Sequence, residues 1–109
     1  MSYKKVLQIN EVMPGEKVRV DVDGKVILLA NLDGAYYALD DLCPHQGGSL
    51  SKGAMRDGKV ICPRHGAAFD LKTGKNVGDA KIAFINIKVH DAKAYPVKVE
   101  GEDVLIEIE

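Results

Sequence analysis

The sequence contains no tryptophan, two phenylalanines, two cysteines and three histidines among its 109 residues. Two cysteines permit at most one disulfide, which excludes the disulfide-rich scaffolds of small secreted domains. No apolar run approaches the roughly 20 residues needed to span a bilayer, so no membrane association is expected. Neither sign of charge is in excess: 15 Lys and Arg against 16 Asp and Glu leave a net charge of −1. That balance lacks the basic footprint of a nucleic-acid binder, and no such partner is expected. Residues Met1 to Gln8 alternate charged and apolar side chains without the core of a signal peptide. A cytoplasmic setting is therefore expected, where cysteines point to metal or redox chemistry more than to a disulfide.

What is present is ordinary for a globular protein: 46% hydrophobic and 28% charged residues. Residues 1–109 are expected to form one domain. A chain of this length buries roughly two-thirds of its unfolded surface, enough for a modest core. A large lidded substrate pocket is excluded by size, whereas a small cofactor held on loops is feasible.

The dominant pattern has a period of two, with no convincing helical period. Lys17 to Val22 places Val18, Val20 and Val22 on one face and Lys17, Arg19 and Asp21 on the other, as in a half-buried strand. Lys25 to Leu32 is apolar more continuously and predicts a central strand. Asp-Gly pairs at 23–24, 33–34 and 57–58 punctuate the strands, because both positions tolerate the positive φ of a type I′ turn. Further strands are expected at Ala35 to Leu39, Gly53 to Met55 and Lys59 to Ile61. Tyr95 to Val99 and Val104 to Ile108 read as a final hairpin around Glu100 to Asp103. Lys72 to Ala80 reads as a loop, and Ile82 to Val89 is open to strand or short helix, with its β-branched residues favouring a strand. The fold class is all-β, an antiparallel sandwich or barrel.

Two segments break the alternation, and each carries one cysteine and one histidine: Cys43-Pro44-His45-Gln46-Gly47-Gly48 and Cys62-Pro63-Arg64-His65-Gly66. The spacing is C-x-H, sixteen residues, then C-x-x-H. Each lies just past an expected strand. If those strands end at one sheet edge, two thiolates and two imidazoles meet, a set suited to zinc or iron. Proline stiffens each loop, and the glycines let amide N–H groups approach anionic sulfur.

These two motifs and their separation resemble those of the Rieske proteins. Gly66, Phe69-Asp70-Leu71 and Thr73-Gly74 are similar as well, so the likeness is clear from Ala35 to Gly74 and extends to the final hairpin. The resemblance implies an antiparallel Rieske-like sandwich or barrel whose tip is made of two loops. It also implies one [2Fe–2S] cluster, with Cys43 and Cys62 on one iron and His45 and His65 on the other. Two thiolates neutralise the oxidised core, so adding an electron is easier than in an all-cysteine cluster. Potentials in the family run from about −150 to +300 mV, against about −400 mV for plant-type ferredoxins.

The high-potential members carry two extra cysteines, where this chain has Gly48 and Arg64, and a serine and a tyrosine, where it has Ala67 and Phe69. Fewer donors to sulfur destabilise the reduced cluster, which places the expected potential at the low end. The pattern is similar to that of soluble Rieske-type ferredoxins. It implies a one-electron carrier between a flavin-containing reductase and a terminal oxygenase or other redox enzyme, and not an enzyme itself. Because ferric iron acidifies bound imidazole, the potential is expected to fall at alkaline pH.

Two other readings stand beside this one. A zinc-binding structural module uses the same donor types, although zinc knuckles normally pair like ligands. The small subunit of a nitrite reductase resembles the same fold but often lacks the ligands. Of the remaining residues, His90 reads as a surface histidine and Asp40-Asp41 as a solvated acidic turn. Tyr36, Tyr37, Phe69 and Phe84 read as strand residues serving the core, and Met13 and Met55 as core filling. The apolar stretch from Ala80 to His90 departs from the family pattern.

Overall fold

A computed structural model describes residues 2–42, 48–63, 66–78, 80–82, 85–87 and 90–108. Its strands are β1 (Ser2–Gln8), β2 (Lys17–Val22), β3 (Lys25–Leu32), β4 (Ala35–Asp40), β5 (Ala54–Arg56), β6 (Lys59–Ile61), β7 (Ala68–Asp70), β8 (Asn76–Gly78), β9 (Ala80–Ile82), β10 (Ile85–Ile87), β11 (Ala94–Tyr95), β12 (Val97–Glu100) and β13 (Asp103–Ile108). All the pairings are antiparallel, and the only helices among the described residues are two single 3₁₀ turns, Ile9–Glu11 and Leu50–Lys52. The fold is thus the all-β architecture that the alternation predicts. No described helix is long and apolar enough to cross a membrane.

Three sheets are stacked by two cores. The central sheet has the order β11-β4-β3-β2, a terminal sheet β1-β13-β12, and a third sheet β5-β6-β7-β8. Strand β3 explains why three layers form. Its run Ile27-Leu28-Leu29-Ala30 is fully buried, because alternate side chains feed different cores. Ile27 and Leu29 pack with Val104, Ile106 and Leu7 of the terminal sheet. Leu28 and Ala30 pack with Leu50, Val60, Phe69 and Leu71 on the other side.

The turns follow their residues. Asp23, Asp33 and Asp57 have φ of 53°, 53° and 52°, and the glycine after each is also at positive φ, as a type I′ turn demands. Pro96 divides the expected strand 95–99 in two. Ala94 and Tyr95 pair with β4, whereas Val97 onward pairs with β13, so the chain changes sheets where proline lacks an N–H.

Two segments differ from expectation. Within the 72–80 stretch, Asn76–Gly78 forms β8 against β7, with Asn76 Nδ2 donating to the carbonyls of Ala68 at 3.2 Å and Gly78 at 2.9 Å. The 82–89 stretch holds half a hairpin, not one strand. Strands β9 and β10 pair with each other in a separate two-stranded sheet.

Candidate metal centre

The two cysteine–histidine loops have matching bases. An isolated antiparallel bridge between Leu42 and Ser49 closes the first around residues 43–48. The Ile61–Ala68 pair at the end of the β6–β7 ladder closes the second around residues 62–67. In each, cysteine is the first residue past the closing pair. Cys43, His45, His65 and Arg64 lie outside the described residues, as does Phe84, so Cys62 is the expected ligand whose surroundings are visible.

Cys62 is 3% exposed, unpaired with any other cysteine, and packed in the same core as Leu50 and Ala67. Its N–H donates to the Ala67 carbonyl at 2.7 Å, and the Gly66 N–H, at φ 79°, donates to the Cys62 carbonyl at 3.1 Å. The second loop is therefore closed by its own backbone. Ala67 is buried and carries no hydroxyl, and Phe69, fully buried, carries none either.

The first loop is fastened by a residue that sequence patterning misassigned. Asp41 is not part of a solvated turn: it is 3% exposed. Its carboxylate accepts from Ser49 Oγ at 2.5 Å and from the Ser51 N–H at 2.7 Å, and Arg19 Nε lies at 3.6 Å. Its carbonyl also accepts from the Leu50 N–H at 2.7 Å. One residue thus joins the strand leading into the loop to the chain leaving it. Neighbouring Asp40 accepts from the Tyr95 hydroxyl at 2.6 Å. Adjacent acids normally read as solvated; the serines eight and ten residues later were the available signal.

Gly53 brings the two loops together. It follows the 3₁₀ turn that leaves the first loop, and it precedes β5, which pairs with β6 leading into the second. A Cβ at this position would collide with the Ile61 carbonyl oxygen, so only glycine permits this approach. Lys17 Nζ, donating to the Ser51 carbonyl at 2.6 Å, ties the same turn to β2. With Leu50 and Cys62 in one core, the two loops rise from adjacent bases.

Those bases place the buried, unpaired thiol of Cys62 beside the base of the first loop, whose sequence begins with cysteine. In the sequence, each loop adds one imidazole, a donor set with the charge and softness for iron–sulfur ligation. The sequence pattern of the Rieske [2Fe-2S] domain matches residues 2–87. The chain belongs to the Rieske [2Fe–2S] family. The group carried by this Rieske protein is accordingly a [2Fe–2S] cluster, and the buried Cys62 with its adjacent loop bases fits it. The chain is 34% identical over 108 residues to the biphenyl dioxygenase ferredoxin subunit of Pseudomonas sp. (strain KKS102), covering 98% of this chain and 93% of the relative. The ferredoxin of carbazole 1,9a-dioxygenase from Nocardioides aromaticivorans IC177 superposes along all of both chains with a TM-score of 0.86 at 26% identity. A chain from a structure described as a complex of reduced oxygenase and oxidized ferredoxin in carbazole 1,9a-dioxygenase matches 98% of this one and 97% of its own length. Its TM-score is 0.80 at 25% identity.

The other singled-out residues fall into place around this centre. His90 is exposed, as expected of a surface histidine. Tyr36 and Tyr37 pack against the two cores, with the Tyr36 hydroxyl donating to the Ile9 carbonyl at 3.1 Å. Met55 packs against the core, but Met13 does not fill it: the side chain sits on the surface, 54% exposed, beside Pro14 in the turn leading to β2.

Proposed function

We propose that this Rieske protein is a one-electron carrier that takes electrons from a flavin-containing reductase and delivers them to a terminal oxygenase, as a single-domain, cytoplasmic component with no catalytic site of its own. The observation that supports this most is the near end-to-end match to a dioxygenase ferredoxin subunit. Cys43 and Cys62 hold one iron in this reading, and His45 and His65 the other. The cluster, when bound, supplies reversible uptake of a single electron.

The chain's own residues set the conditions. Burial of Cys62 keeps water from the thiolate side, and Asp41 and Gly53 hold the loop bases in register. His90 is the one histidine left over after the ligands are assigned, too few for the two-histidine, one-carboxylate iron site of an oxygenase.

The test is low-temperature EPR of the purified protein after anaerobic reduction with dithionite. A rhombic signal with an average g below that of all-cysteine clusters is expected from mixed ligation. A colourless protein holding stoichiometric zinc would overturn the reading. Single replacement of His45 or His65 by Cys should move the signal toward the all-cysteine type.

A further inference from the structure

Strand β2 alternates Lys17, Arg19 and Asp21 with Val18, Val20 and Val22, a pattern that leaves its polar face to solvent when read alone. In the structure, that face looks toward the cysteine loops. Val18 and Val20 pack with the core of the terminal sheet, so Lys17 and Arg19 turn the other way. Arg19 pairs with Leu28 of β3, which lies in the same core as Cys62 and Leu50. The two cations meet the two ends of the first loop. Lys17 Nζ donates to the Ser51 carbonyl on the chain leaving it, and Arg19 Nε lies 3.6 Å from Asp41 on the chain entering it.

Asp41 stands two residues before Cys43, so the two Cα atoms are at most about 7.6 Å apart. Its side chain is 4% exposed. Asp40 does not share this position: it pairs with Ile27, on the face of the other core, and accepts from the Tyr95 hydroxyl. Of the groups that meet the Asp41 carboxylate, Ser49 Oγ and the Ser51 N–H are neutral. Among the described residues, Arg19 is the only cation within ion-pair reach of it. The Arg19 side chain is 56% exposed, so the pair has its cationic end in solvent and its anionic end at the loop base.

Reduction adds one electron to the cluster without making or breaking a bond. A fixed anion beside the cluster opposes that electron, and a fixed cation favours it. The two charges are not screened equally. Water and salt shield an exposed guanidinium within roughly a Debye length, about 10 Å at 0.1 M, whereas a buried carboxylate is shielded much less. The anion therefore outweighs the cation, and the pair as a whole lowers the potential.

We propose that Arg19 and Asp41 form a charge pair that tunes the reduction potential of the cluster: the buried carboxylate lowers it, and the guanidinium limits how far. This rests on the carrier reading and adds to it a control of potential that no ligand residue supplies. It also gives the polar face of β2 a role beyond solvation.

The test is spectroelectrochemical titration of the holoprotein at neutral pH and fixed ionic strength, with EPR checking that each variant keeps the mixed-ligand signal. At the parent's midpoint the reduced and oxidised forms are equal. Asp41→Asn, which retains an acceptor for the Ser51 N–H, should raise the reduced-to-oxidised ratio at that potential about fivefold or more. That is a shift of about 41 mV, at about 59 mV per tenfold for one electron. Arg19→Gln should lower the ratio about twofold, or about 18 mV. Arg19→Lys keeps the charge and should stay within about 1.5-fold of the parent. A purely structural tie would not separate glutamine from lysine. Where Asp41→Asn holds too little iron, the Arg19 variants decide alone. The proposal is overturned by an Asp41→Asn midpoint that does not rise, by an Arg19→Gln midpoint that does not fall, or by an Arg19→Lys shift as large as that of Arg19→Gln. A parent protein without the mixed-ligand EPR signal overturns the carrier reading instead, so the two failures are distinct.

Discussion

At the level of single residues, the loop bases depend on groups with no ligand chemistry of their own. Asp41 answers two donors and Arg19 from a buried position, so removing it leaves the part-buried Ser51 N–H without its acceptor. Asp41→Ala should destabilise the protein by about 2–3 kcal/mol, measured by urea unfolding. Iron bound per chain should fall as well, because the first loop loses its tie. Asp41→Asn retains an acceptor and should cost less than half as much. Equal costs would show that charge, not the hydrogen bonds, secures the loop. Gly53→Ala works differently. The added methyl meets the Ile61 carbonyl, a backbone atom that cannot rotate away. A loss of about 1–3 kcal/mol is expected, with poorer cluster retention, since the displacement falls on the strand feeding Cys62.

At the level of elements, the turns separate two reasons for glycine. Gly58 and Gly74 have nearly the same φ, 75° and 78°. A Cβ on Gly58 meets nothing, whereas one on Gly74 would strike the Ala92 carbonyl. The Gly74 carbonyl also accepts from the Ala92 N–H at 2.7 Å, so this crossing fastens the third sheet to the segment before β11. Gly58→Ala should therefore cost about 1 kcal/mol from backbone strain alone, and Gly74→Ala at least twice that. Thermal unfolding of the two variants decides it; equal shifts in Tm would remove the Ala92 contact as the cause. The sheet change at Pro96 belongs to the same scale. Because Ala94 and Tyr95 pair with β4 while Val97 pairs with Ile106, this short link lets one chain segment serve two layers.

At the level of the whole molecule, the described residues of the second loop offer few donors to sulfur, and that sets the expected potential. The Cys62 and Gly66 N–H groups are engaged with backbone carbonyls, and Ala67 and Phe69 offer no hydroxyl. A midpoint below 0 mV at neutral pH is expected, toward the low end of the family range of about −150 to +300 mV. Ala67→Ser should raise it by roughly 40–90 mV, the equivalent of about 1–2 kcal/mol favouring the reduced cluster for a single electron. Protein-film voltammetry measures both. A midpoint well above 0 mV in the parent protein would mean that donors from elsewhere reach the sulfurs.

Much of this was legible in order along the chain. The six-residue alternation of Lys17 to Val22, the unbroken apolar run at 27–30 and the Asp-Gly turns specify strands and hairpins locally, because side-chain period and positive φ are properties of neighbouring residues. The C-x-H and C-x-x-H motifs announce a metal centre for the same reason. Position 41 was not legible. An aspartate beside another aspartate looks solvated until Ser49 and Ser51 fold back over it, and only then does its carboxylate have partners that make burial tolerable. Nor was Asn76–Gly78, whose polar and glycine residues resemble a loop until the Ala68 and Gly78 carbonyls accept the Asn76 amide. The sequence by itself therefore determined the strands, their turns and the types of ligand. The tertiary structure alone decided that β3 would feed two cores, that Gly53 would draw the loop bases together, and that Asp41 would be buried beneath the serines that follow the first loop. Those outcomes depend on contacts between residues far apart in the chain, which no local pattern encodes.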